Sequence, residues 1–220
     1  MHVEFKLLMD KGDSLDAPGF LEEEIDRFLN MSQDRFVSKR AFGNNPRRTS
    51  FEEDQKRRDD LRTLIVEFSD SSFTVTSANK PNGVFIQLPS DYRHAINEET
   101  ILQDKELKEH RVGVKPITHD RYNKIIDDPF NKPKKTSAYR LDYGSFDTNE
   151  YFEIITGDNI TLLQYFLRYI KEPPQIGVDQ DCILADHTHR EIVRMAVLDS
   201  LENVEQPRYQ SSKIELNEIE

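Results

Sequence analysis

Residues Leu162 to Ile170, LLQYFLRYI, decide the fold: an apolar, aromatic-rich run that reads as a strand and stops at the double proline Pro173-Pro174. After one loop comes THREIVRMAVLDSLENV (188–204), in which Thr188 and Glu191 have capping-box spacing. Ile192, Val193, Ala196, Val197 and Leu201 give that helix one apolar face. A strand followed by a packing helix and then a polar acidic end describes a module with an appendage. No chemical group is placed between them.

Working back toward the N-terminus, the signals come in runs. Leu64–Phe68, Phe73–Thr76 and Val84–Leu88 are short, β-rich segments punctuated by Ser-Asp-Ser-Ser and Lys-Pro-Asn-Gly, so two hairpin links are expected. Asp91-Tyr92-Arg93 begins a return segment, and a strand over 109–115 is expected to pair back into the same sheet. Thr118 caps a short helix, HDRYNKIIDD, which ends at Pro129; a Pro/Lys-rich loop then feeds a strand over 138–143. Strands over 151–156 and 161–170, joined by Gly157-Asp158-Asn159, read as a hairpin.

The N-terminal part is helical. APGFLEEEIDRFLNMSQDRFVSKRA (17–41) opens at Asp16 and Pro18, carries Glu22, Glu23 and Glu24 at the positive end of the dipole, and closes with Lys39 and Arg40. Leu21, Ile25, Phe28, Leu29, Ser32 and Phe36 share one face. FEEDQKRRDDLRTL (51–64), capped by Thr49 or Ser50, reads as a second helix whose mixed charges point to a solvated outer face. These elements define an α+β protein: N-terminal helices, a mostly antiparallel sheet, and a C-terminal helix packed on it. Parallel βαβ order is not expected. A single body over residues 1–206 and an extended tail over 207–220 complete the expected organisation.

Composition bounds the function. Charged residues make up 32% of the chain and hydrophobic ones 36%, yet thirteen Phe and eight Tyr supply enough bulk for a core. A net charge of −11 argues against the whole protein being held on nucleic acid by its field. The single Cys182 cannot form an intrachain disulfide, the first residues carry no secretory pattern, and no apolar run is long enough to cross a bilayer. The expectation is a soluble protein made in a cytoplasm, without membrane association.

No catalytic or cofactor constellation stands out. His187 and His189 lie two apart on a helix and diverge, so helix capping is the better reading than a metal site. There is no Gly-x-Ser-x-Gly elbow, no Walker-type loop and no Gly-x-Gly-x-x-Gly run. The acidic pairs Asp59-Asp60 and Asp127-Asp128 carry little weight in so acidic a chain. Candidate contact residues lie elsewhere. Lys132, Lys134 and Lys135 form a basic cluster that is either a solvated loop or a contact for an acidic neighbour, such as another copy's tail. In QPRYQSSKIELNEIE (206–220), Tyr209, Ile214 and Leu216 alternate with polar residues as a strand donated to a neighbour's sheet would. Tyr92 and Arg93 are further candidates.

The ordered segments APGFLEEEIDRFLNMSQDRFV, FEEDQKRRDDLRTLI, LPSDY, RVGVKPITHDRYNKIIDDPFNKP, LRYIKEPPQI and DCILADHTHREIVRMAVLDSLE with PRYQ resemble the ring proteins of crAss-like tailed bacteriophages. Those proteins build the connector and tail barrel below the portal, and the resemblance runs from Ala17 to Gln210. It implies a non-enzymatic virion part. Copies would close into a homo-oligomeric ring of about twelve, stack on other rings or on the portal protein, and line a genome-ejection channel that DNA crosses only transiently. An acidic lumen that binds phosphate weakly suits sliding DNA. The competing readings are a soluble adaptor acting in the infected cell and a carboxylate hydrolase with a raised-pKa acid in a concave site.

Overall fold

The computed structural model describes residues 1–9, 20–42, 51, 54–71, 79–146 and 149–203. The chain divides into two compact units, a helical one from Met1–Leu64 with Pro173–Glu220 and a β-rich one from Ile65–Glu172. The fold class is α+β, as expected.

In the helical unit, α1 (His2–Met9), α2 (Glu22–Phe42) and α5 (Asp186–Asn203) are the principal helices. At the start of α2 the Glu24 carboxylate accepts a hydrogen bond from the Leu21 amide at 2.9 Å, satisfying one orphan donor. The helix starts at Glu22, and Asp16 and Pro18 lie outside the described residues. Its buried face is Ile25, Leu29, Ser32, Gln33, Phe36, Val37 and Ala41; of the residues expected there, Phe28 is half-buried and Leu21, before the helix, is 67% exposed.

Val193, Ala196, Val197 and Leu201 of α5 share a cluster with Phe5 of α1 and Ile25 and Leu29 of α2. The helix α1 has no counterpart among the expected elements; Phe5 is fully buried, and its ring lies 6.0 Å from Phe20 and 6.4 Å from Phe28. The capping box also moves. Asp186 already lies in the helix, and the Thr188 hydroxyl donates to the Ala185 carbonyl at 2.7 Å. Glu191 is taken by Arg40 at 2.7 Å.

The second expected helix is shorter than its charge pattern suggested. Asp54, not Thr49 or Ser50, caps α3 (Gln55–Asp60) by accepting from the Lys56 amide, and a 3₁₀ turn, Arg62–Leu64, follows. Thr49 and Ser50 lie outside the described residues. Nor is its end a solvated face: Asp60 is buried between Arg40 at 2.8 Å and His187 at 2.8 Å.

The β-rich unit contains β1 (Ile65–Asp70), β2 (Gly83–Gln87), β3 (Tyr92–Gln103), β4 (Glu109–Pro116), α4 (His119–Asp127), β5 (Ala138–Phe146), β6 (Asn149–Ile155) and β7 (Thr161–Lys171). They form one sheet in the order β1-β7-β3-β4-β5-β6-β2. Its core joins Ile86, Phe152 and Ile154 from one end to Leu102, Tyr165 and Leu167 from the other, which requires the sheet to curl over itself. The LLQYFLRYI run is central, paired on one side with β1 and on the other with β3.

Two expectations fail here. β6 and β7 do not form a hairpin: β6 pairs with β5 and β2, while β7 pairs with β1 and β3. Gly157-Asp158-Asn159 has turn chemistry, with Asn159 at φ 59°, but a turn signal fixes a local bend and not the partner of the strand beyond it. One parallel pair does occur, β4 with β5 over Val114–Pro116 and Ala138–Arg140, with α4 in the crossover. The strand expected over 73–76 lies outside the described residues.

Candidate assembly surface

The loop that carries the lysine cluster is built with care. α4 ends at Asp128, whose side chain turns back over the next residues. Its Oδ1 accepts from the Phe130 amide at 2.9 Å and its Oδ2 from the Asn131 side-chain amide at 2.6 Å. These bonds, the Phe130 amide first, hold the Asp128 carboxyl below the usual carboxylate range. The Lys132 amide donates to the Asp128 carbonyl, and Tyr139 Oη donates to the Asn131 carbonyl at 2.5 Å. Lys134 and Ser137 exchange two backbone hydrogen bonds. Pro133 is buried, and its carbonyl approaches Gly157 so closely that a Cβ there would sit 2.8 Å from it. This is the position where glycine is required in the β6–β7 connection.

The consequence is a well-anchored loop that holds Phe130 outward, 85% exposed. Lys134 Nζ donates to the Phe130 carbonyl at 3.1 Å, and Lys135 Nζ lies 3.6 Å from Asp104 at the β3–β4 turn. That ion pair ties a second exposed apolar tip to the first. Leu107 is 76% exposed and sits at φ 60°, a region that favours Gly or Asn. Of the three lysines, Lys134 thus lies beside Phe130 and Lys135 reaches across to Asp104. Neither Phe130 nor Leu107 was singled out from the sequence. The signal for Phe130 was there, an aromatic residue between Pro129 and Pro133 and outside any periodic element.

The other candidates fall differently. The Tyr92 ring meets Phe152 edge-on at 5.5 Å and Tyr169 at 5.8 Å, and its hydroxyl accepts from the Ala95 amide. Burial pushes its phenol pKa up. Tyr92 and Arg93 are both half-buried at the start of β3, away from any exposed tip in sequence. Tyr209, Ile214 and Leu216 lie outside the described residues.

The β-rich unit also buries charge. Glu98 is ion-paired with Arg140 and accepts from Tyr165 Oη at 2.8 Å. Arg140 also lies 3.2 Å from Asp142 and stands over the Phe152 ring at 4.2 Å. Burial pushes the Glu98 carboxyl up against the opposing pull of Arg140, and it drives the Tyr165 phenol upward as well. Both carboxylate oxygens of Glu98 (β3) are held by residues of other strands, Arg140 of β5 and Tyr165 of β7, the arrangement of a structural tie between β3, β5 and β7. Among the described residues, no three His, Cys, Asp or Glu side chains are grouped to hold a metal ion, and no helix is long and apolar enough to cross a membrane.

The helical unit has a cleft of about 540 Å³. Met1 and Ile176 supply apolar walls, and Glu22, Asp26, Asp181 and Asp186 supply negative charge. Asp26 is met by His2 at 2.6 Å and Glu22 by Lys6 at 3.6 Å. Cys182 also lines it; its Sγ donates to Gln33 Oε1, and burial raises its pKa.

The family model for phage tail ring protein 3/4 matches residues 1–208, and the chain belongs to that family. It is similar to Ring protein 4/5 of Bacteroides phage crAss001, at 27% identity over 219 residues, 88% of this chain and 87% of that protein. The chain is thus a structural ring protein of a phage tail.

Proposed function

We propose that copies of this chain close into a ring of the tail barrel, of about twelve subunits as cyclic symmetry commonly allows. The ring stacks on other ring proteins or on the portal protein and encloses the path along which the genome leaves. The observation that carries this reading is the family match across residues 1–208, which includes both compact units. The net charge of −11 favours a conduit that does not retain DNA. The chain's work is assembly, not catalysis.

Subunit contacts in this reading come from Lys132, Lys134 and Lys135 and from the tail residues Tyr209, Ile214 and Leu216. Tyr92 and Arg93 contribute less, given their packing within the β-rich unit. The end strands β1 and β2 each have one edge with no described partner strand, and an alternating tail segment suits such an edge.

Quantitative mass spectrometry of purified virions, referenced to the portal protein, tests the reading. The expected result is a fixed ratio close to one ring of about twelve copies per portal ring, or a small multiple of it. Absence from the particle overturns it and favours an adaptor that acts in the infected cell.

A further inference from the structure

A closed ring of identical chains needs a heterologous interface, in which two different patches of the same chain complement each other. Two described surfaces have that relation. The Phe130 loop offers an 85% exposed ring with Lys134 beside it and Lys132 two residues on in sequence, and neither lysine has a carboxylate at ion-pair distance among the described residues. The cleft of the helical unit offers apolar walls beneath carboxylates, and Asp181 and Asp186 have no ion-pair partner among the described residues. Val178, 93% exposed, stands at its rim.

Resting on the ring reading above, we propose that the Phe130 loop of one copy seats in the acidic cleft of the next. Phe130 enters between Met1 and Ile176, and Lys132 and Lys134 face Asp181 and Asp186. The cleft's size, about 540 Å³, falls in the range of concave sites that bury most of an inserted group. Affinity comes from burying the aromatic ring at the centre. The charged rim contributes little net energy and instead steers the approach and sets the register. The loop's anchoring lowers the cost of binding, because Asp128, Asn131 and Gly157 already fix the conformation that presents the ring.

The chain's single cysteine makes a direct test available, since Cys182 lines the cleft. Tails are isolated from virions carrying F130C and treated at mildly alkaline pH with a short bis-maleimide. The expected result is a ladder of covalent multimers on a denaturing gel that disappears in F130C/C182S. Tails with normal copy number and no Cys182-dependent ladder overturn the interface while leaving the ring reading intact. A second arm leaves Phe130 in place. K132E/K134E is expected to reduce incorporation at least tenfold with an unchanged melting curve, and adding D181K/D186K to bring it back to within about twofold of the original. A four-fold variant incorporated no better than the double variant overturns the proposal. Absence of the unmodified chain from virions is a different outcome, since it removes the ring itself.

Discussion

Leu107 is held at φ 60° in the β3–β4 turn, where its amide donates to the Asp104 carbonyl and closes the bend. A non-glycine residue there costs about 1 kcal/mol, and its side chain, 76% exposed, recovers little of that by packing within the described chain. Leu107→Gly should therefore raise the melting temperature of the isolated chain by about 2 °C, while lowering incorporation into tails if the side chain meets a neighbour. A fall in melting temperature shows that Leu107 packs within its own chain. Gly157→Ala acts in the opposite direction, because the new Cβ would press on the Pro133 carbonyl at 2.8 Å and on Ile160 at 2.9 Å. A loss of about 1–3 kcal/mol in urea unfolding is expected, as for overpacking elsewhere, together with poorer incorporation as the Phe130 loop shifts. At this scale the sequence singled out the loop through its lysines but not through its exposed aromatic tip. Charge is legible one residue at a time, whereas the exposure of Phe130 depends on Asp128, Tyr139 and Gly157, which only the fold brings together.

Among the elements, α2, the β4 and β5 strands, α4, and the LLQYFLRYI strand were legible because each carries its own period or punctuation. What was not legible was partnership. The Gly157–Asn159 bend suggested a hairpin, yet β6 and β7 lie in different parts of the sheet order. The short parallel pair of β4 and β5 went unforeseen for the same reason, since no local pattern encodes it. The Glu98–Arg140–Tyr165 tie shows how such non-local pairings are secured, one residue from each of β3, β5 and β7. Because burial raises the Glu98 pKa, the folded state holds its proton to higher pH than the unfolded chain, whose value stays near 4.5. The folded protein binds more protons in that window, so stability falls as pH rises from about 4.5 through the raised value and is constant above it. Urea unfolding across this range should show the original chain losing stability relative to Glu98→Gln as pH rises. A gain instead would mean that the Arg140 attraction outweighs burial.

For the whole molecule, the tail is a separable part of the assembly reading. Removing residues 207–220 is expected to leave thermal unfolding of the body unchanged within about 2 °C and to reduce incorporation into tails several-fold. Equal incorporation would assign the subunit contacts to the body alone. One further consequence follows from the order in which the two units are written along the chain. The β-rich unit is contiguous, Ile65–Glu172, and its first and last strands lie side by side, with Ile65 opposite Ile170. The helical unit is interrupted by it, and its cleft draws on Ile176, Cys182 and Asp186 near the end. In the interface proposed above, a ribosome delivers the loop long before the socket, so chains still under synthesis can fold their sheets before any of them presents a cleft to a neighbour.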